Sequence, residues 1–265
     1  LLVCDAWNHR WLVWESVPKT SSTPPDWALG QPSLQAVERN RGAAVSARGF
    51  DCPYGLAVVD GNLHVADTQN RRVLVWDGVP SADRASARCM GQADFETSDE
   101  NRGQGPGPDT FRWPHAFAQF DGALLVADAG NHRLLGWSEG RDRSGPADLL
   151  LGQADFDTAF ELPHTPQGPR RLRFPYALAA DAERMVIADT ANNRLLVHVG
   201  PLAADAAASA VLGQRDFNAA GENRWGMIEA DSLCWPYGLA LSSNVLAVAD
   251  SGNNRVTLWR FVGEA

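Results

Sequence analysis

An all-β chain made of repeated four-stranded units, a β-propeller, is what the sequence predicts, on three observations. One phrase returns five times: "VCDAWNHRWLVW" (3–14), "VADTQNRRVLVW" (65–76), "VADAGNHRLLGW" (126–137), "IADTANNRLLVH" (187–198) and "VADSGNNRVTLW" (248–259). Landmarks outside the phrase keep one interval. Pro53, Pro114, Pro175 and Pro236 fall 61 residues apart, as do Gly30, Gly91, Gly152 and Gly213, each followed by Gln. The segments between are short apolar runs broken by turn formers, and none holds a helical period for long. A fixed long period marks stacked or radially arranged units, and four antiparallel strands per unit make a propeller blade.

Within one unit the elements follow in order. Strand a is "YGLAVV" (54–59), strand b "LHVAD" (63–67), strand c "RVLVW" (72–76), and strand d lies around "CMGQADF" (89–95). "DGN" separates a from b and "DTQN" separates b from c, both turn signals. "PLAADAAASA" (201–210) has the composition for a turn or two of helix. The first copy begins at strand b and the last ends at strand c, so the chain holds five b–c hairpins but four strands a and four strands d. A blade edge left open in this way is usually avoided. An upstream segment is therefore expected, and its length would decide between a five- and a six-bladed ring.

The b–c hairpin carries Asp-x-x-Asn-x-Arg. The aspartates are Asp5, Asp67, Asp128, Asp189 and Asp250, and the arginines Arg10, Arg72, Arg133, Arg194 and Arg255. Asp and Asn oxygens are expected to accept backbone N–H groups and hold the turn, and Arg to pair with Asp across the hairpin. Five copies in five equivalent places point to architecture rather than to catalytic acids.

These residues resemble NHL repeats. The family pattern of Pro-x-Gly-hydrophobic-Ala, then V-A-D, then N-H-R-hydrophobic is matched by Pro53-Tyr54-Gly55-Leu56-Ala57, Val65-Ala66-Asp67 and Asn131-His132-Arg133-Leu134. The likeness spans almost the whole chain and implies one propeller domain over 1–265, usually six-bladed in that family. The added "LGQADF" (151–156) resembles a bacterial variety with longer units. Among propellers of this kind the resemblance implies protein scaffolds, RNA binders and, in related six-bladed folds, metal-dependent lyases and hydrolases.

Composition narrows these classes. The 265 residues carry a net charge of −9, which counts against binding a phosphate backbone. No run approaches the roughly 20 apolar residues of a membrane span. The four cysteines, Cys4, Cys52, Cys89 and Cys234, form no C-x-x-C pair and each replaces an ordinary residue of the repeat. They read as single buried or half-buried thiols. The opening "LLVCDAWNHR" shows no targeting signal, and a cytoplasmic location is favoured over secretion.

Topology places the working surface. Antiparallel order puts the b–c turns and the d-to-a connections on one face; 18 residues separate Phe95 from Pro114, Phe156 from Pro175 and Phe217 from Pro236. Long loops on a rigid scaffold are the usual carriers of binding. Strand a is innermost, so its first residues, Tyr54, His115, Tyr176 and Tyr237, are candidates for meeting a small ligand or ion at the mouth of a central channel; packing and hydrogen bonds to water are the structural reading of the same ring. One His among three Tyr makes a poor metal site, and no metal or cofactor is predicted. Trp14, Trp76, Trp137 and Trp259 form a structural column at the end of strand c. Trp7 does not: its counterparts are Gln69, Gly130, Ala191 and Gly252, and Trp225 stands where Gly42 stands. Trp7 and Trp225, with Arg71 and His132, are the candidate contacts for a partner. His9 and His132 sit at hairpin tips, His64 and His198 on strands, His164 in a loop. No nucleophile elbow, P-loop or His-Glu-x-x-His is present.

The expected function is a non-catalytic binding or scaffold propeller that meets another protein through the loop-bearing face. A propeller enzyme of the lyase or hydrolase type is the alternative. RNA binding through Arg71, Arg72 and other loop arginines is third.

Overall fold

β-Branched and leucine-rich runs of three to seven residues, each closed by a turn, become eighteen short strands in the computed structural model. It describes residues 1–161 and 167–262. His164 lies outside the described residues. The fold is an all-β β-propeller with five blades, each a small antiparallel sheet. No helix among the described residues is long and apolar enough to cross a membrane. The stretch 201–210 forms no helix: turns and a short strand take its place, because Ala-rich propensity over ten residues does not offset helix nucleation.

The chain divides into two compact units, residues 1–115 and 116–265. Unit 1 holds the sheet of β1 (Leu2–Asp5), β2 (Arg10–Val13) and β3 (Trp27–Leu29). It also holds the sheet of β4 (Pro53–Val59), β5 (Asn62–Asp67), β6 (Arg72–Trp76) and β7 (Arg88–Met90). The division falls within β8 (Pro114–Phe120), which joins β9 (Ala123–Asp128), β10 (Arg133–Trp137) and β11 (Leu149–Leu151). The fourth sheet is β12 (Pro175–Ala180), β13 (Arg184–Asp189), β14 (Arg194–Val199) and β15 (Ala210–Leu212). The fifth is β16 (Pro236–Ser242), β17 (Val245–Asp250) and β18 (Arg255–Arg260). Among the described residues the first sheet thus has no strand a and the fifth no strand d.

Strand d is shorter than the sequence suggested. It stops at Met90, because Gly91 takes φ +92° and turns the chain out of the ladder. A side chain at Gly91 would stand 2.2 Å from the Phe111 ring; Gly30 faces Phe50 in the same way, and Gly213 faces Leu233. The glycine is needed both for its backbone angle and for the close approach of the next loop.

Core packing is between neighbouring sheets. In unit 1, Trp11, Leu29, Phe50, Leu63, Val65, Leu74 and Trp76 form one cluster. In unit 2, Leu125, Leu134, Leu178 and Ile187 join the third and fourth sheets, and Val186, Leu195, Leu246 and Val248 join the fourth and fifth. Each sheet has two apolar faces, so stacking on a neighbour is what buries them. Trp76 and Trp137 are fully buried, and their ring N–H groups donate to Arg84 and Gly145 carbonyls, pinning the c–d loops.

Register aims strand a. Pro53, Pro175 and Pro236 stand opposite Asp67, Asp189 and Asp250, and the pairing slips immediately after each proline. Proline opens a strand without costing a ladder bond, and the bulge re-aims the tyrosine that follows.

Candidate functional site

In each unit the b–c turns and the d-to-a loops lie at the same end of the strands, as antiparallel order requires. The Asp-x-x-Asn-x-Arg element organises that end. Asp67 Oδ2 accepts Asn70 Nδ2 at 2.8 Å and Arg72 Nε at 2.7 Å, while Oδ1 accepts the Asp51 backbone N–H at 2.7 Å. The Asp does not cap its own turn, as the sequence suggested. It reaches back instead to the backbone two residues before strand a. Arg72 spends its remaining donors on the Phe95, Ser46 and Gly49 carbonyls, tying strand d's extension to the preceding loop. Arg194 does the same with Phe217, Gly168 and Arg171. Burial pushes the Asp67 pKa up, against the pull of Arg72 and the hydrogen bonds to the charged carboxylate.

The residue after the turn's Asn is left-handed: His9, Arg71, His132, Asn193 or Asn254. Its carbonyl accepts the Gln of the Gly-Gln landmark, as Gln92 Nε2 to Arg71 O at 3.2 Å and Gln214 Nε2 to Asn193 O at 2.9 Å. Its side chain in three cases accepts an N–H from the following blade: Cys52 to His9 Nδ1 at 3.1 Å, Phe174 to His132 Nδ1 at 3.3 Å, and Trp235 to Asn193 Oδ1 at 2.9 Å. The sequence marked the glutamine as a landmark without a role. The role is a clamp between strand d and the hairpin.

This wiring removes two predicted contacts. His132 is only 2% exposed, with its ring edge-on to Phe174 at 4.3 Å, so it holds two blades together and is not a partner contact. Arg72, Arg133 and Arg194 are fully buried in ion pairs with Asp67, Asp128 and Asp189, so they supply no basic patch. Arg71 is half-buried and donates to the Gln69 carbonyl.

The strand-a aromatics are brought together in pairs. Tyr54 stacks on His115 in unit 1 at 4.5 Å between ring centres, and Tyr176 on Tyr237 in unit 2 at 4.7 Å. His115 is buried, Tyr54 and Tyr176 are half-buried, and Tyr237 is exposed.

The out-of-pattern tryptophans are open to solvent, Trp7 at 80% and Trp225 at 84%. Trp225 belongs to a loop that also exposes Met227, Ile228 and Trp235. That loop is braced: Arg224 pairs with Asp231 at 2.8 Å and reaches Glu229 at 3.5 Å, and the Asn223 and Asn253 amides bond to each other reciprocally at 2.8 and 3.0 Å. The opposite end of unit 2 carries a cavity of about 850 Å³ lined by Asp181, Arg184, Val197, Asn244 and Phe261, which the sequence reading did not foresee.

The four cysteines are free thiols, buried or half-buried. Cys4 Sγ donates to the Pro53 carbonyl at 2.8 Å, and Cys52 shares a cluster with His9 and Asp51 whose ligand atoms all lie within 4.8 Å of one another. Burial pushes the thiols up, Cys52 to about 11 and Cys4 to about 12. The sequence signal was available: these positions leave the repeat together.

No family model and no curated protein matches the chain. Solved structures resemble it in fold. The computationally designed Ika8 protein is 11% identical with a TM-score of 0.40, covering 80% of this chain and 46% of its own, so this chain spans about half of it. Myxococcus xanthus glutaminyl cyclase is 12% identical with a TM-score of 0.43, covering 90% and 75%. A chain of a nidogen/laminin complex is 13% identical with a TM-score of 0.41, covering 98% and 88%. At these identities the likeness concerns the fold and nothing finer.

Proposed function

We propose that this chain is a non-catalytic binding or scaffold module of the NHL-repeat kind, and that a protein partner meets the strand ends bearing the b–c turns and the d-to-a loops. The observation that carries the reading is the loop around Trp225. It exposes Trp225 at 84% and Met227 at 85%, yet its backbone is held by the Arg224–Asp231 pair and the Asn223–Asn253 bonds. Large apolar side chains on a braced loop cost solvation in the free protein and little ordering entropy on binding, which is what a hot spot requires. Matching positions in two of the three earlier loops are Gly42 and Gly103 for Trp225, with His164 in the third, so the blade architecture does not require a large side chain there.

The catalytic alternative finds less support: the repeated acids are committed to Asn, Arg and backbone partners. The test is affinity capture from native lysate with the wild-type chain, with Trp225→Ala plus Met227→Ala, with Trp7→Ala, and with substitutions in the c–d loop at 138–148. The loop variants should release the partner, with a loss of about 2 kcal/mol or more per hot-spot tryptophan, near thirtyfold in affinity. Release only by the 138–148 changes would place the interface at the other end.

A further inference from the structure

Two departures from the repeat, Asp51 and Cys52, meet a hairpin histidine in unit 1. Asp51 stands where Arg112, Arg173 and Cys234 stand, and Cys52 where Trp113, Phe174 and Trp235 stand. His9 occupies the left-handed slot filled elsewhere by Arg71, His132, Asn193 and Asn254. Blade packing is achieved in the other blades without this set, so architecture does not account for His, Asp and Cys meeting at one place.

The hydrogen bonding of His9 follows from its slot. His132 and Asn193 both accept a backbone N–H from the next blade, and His9 accepts that of Cys52 through Nδ1. The same Nδ1 lies 3.3 Å from Asp51 Oδ1, in side chains only 16% and 13% exposed. With Cys52 Sγ these atoms all lie within 4.8 Å of one another, a set of donor atoms that a cation can gather. The separation suits one: ligand atoms at about 2.0–2.1 Å in a tetrahedron are about 3.3 Å apart along its edge.

We propose that His9 Nδ1, Asp51 and Cys52 bind one divalent cation of the zinc class, with solvent completing the tetrahedron. Nitrogen, carboxylate oxygen and sulfur together select a borderline-soft ion over magnesium or calcium. On binding, Nδ1 exchanges the Cys52 N–H for the metal. The Cys52 thiol loses its proton to solvent and becomes a thiolate. One thiolate and one carboxylate balance the divalent ion, and Arg39 lies 3.6 Å from Asp51 Oδ2. The Arg39 side chain is itself exposed, so it competes weakly for the carboxylate.

Binding displaces the Cys52 thiol proton, so affinity rises with pH. The experiment titrates the full chain, kept reduced by a non-chelating phosphine, with Zn²⁺, and with Co²⁺ as an optical probe of thiolate ligation. Expected are one site per chain, a thiolate-to-cobalt charge-transfer band, and at least tenfold weaker binding in His9→Asn and Cys52→Ser. His9→Asn keeps the hydrogen-bond acceptor that Asn193 supplies in its own blade, so circular dichroism should show it folded. Cys89→Ala should bind as the wild type does. Absence of a stoichiometric site, wild-type affinity in folded His9→Asn and Cys52→Ser, or affinity independent of pH would each overturn the proposal.

Discussion

The hairpins at Asp189 and Asp250 carry the same three residues and nearly the same bonds. Asp189 Oδ2 accepts Asn192 at 2.9 Å and Arg194 at 2.7 Å; Asp250 Oδ2 accepts Asn253 at 2.8 Å and Arg255 at 2.7 Å. Both arginines also donate to two carbonyls of the preceding loop. They differ in one partner. Arg194 also reaches Phe217 beyond strand d, whereas among the described residues the fifth sheet has no strand d, and the Arg255 side chain is 27% exposed against 0% for Arg194. The motif wires the hairpin in both blades; the fourth strand decides how dry that wiring is, and hence what breaking it costs.

The largest expected effect tests this difference directly. Arg194→Met strands a buried carboxylate and leaves three carbonyls unpaired, which should cost about 3–5 kcal/mol in urea unfolding. Arg255→Met should cost roughly half as much, because water reaches the vacated site. Equal losses would show that strand d contributes nothing to the pair.

Acid separates the same two blades. His198 occupies the strand-c position where the fifth blade has Trp259, and burial lowers its pKa from 6.5 to about 4. Above pH 6.5 His198 is neutral both folded and unfolded. Below it the unfolded chain takes up a proton that the fold refuses, so stability falls with pH and levels off below about 4, a loss of about 3 kcal/mol. His198→Trp, the residue of the neighbouring blades, should flatten that limb of a stability–pH profile. An unchanged profile would locate the acid sensitivity elsewhere.

Glycines of the fourth blade sharpen the comparison further. Gly213 has φ +85° and an added Cβ would meet Leu233 at 2.6 Å; Gly200 has φ +83° and nothing within 4 Å. Gly213→Ala should therefore cost about 2–3 kcal/mol from strain and overpacking, and Gly200→Ala about 1 kcal/mol from strain alone. The smallest effect belongs to Trp225→Ala, which should leave the unfolding midpoint within about 0.5 kcal/mol of wild type, since its ring is in water.

Much of the blade was legible because each repeated slot demands one chemistry. Pro begins strand a, Asp and Arg meet across the hairpin, and Gly-Gln ends strand d, so repetition exposes all of them. Direction was not legible. A left-handed residue at a turn tip reads as exposed, yet His132 turns inward because the Phe174 N–H of the next blade needs an acceptor. The opposite holds for Trp225, whose exposure the sequence suggested by its mismatch with Gly42 and the structure shows.

The sequence by itself determined the period, the strand order and the side-chain pairs within a hairpin, because these are local and recur at fixed spacing. Only the tertiary structure decided which of those pairs are dry, which ring nitrogens are acceptors, and that His9 meets Asp51 and Cys52. Those residues lie 42 and 43 positions apart and on different blades, and burial and contact across blades depend on how sheets stack, which no local pattern encodes.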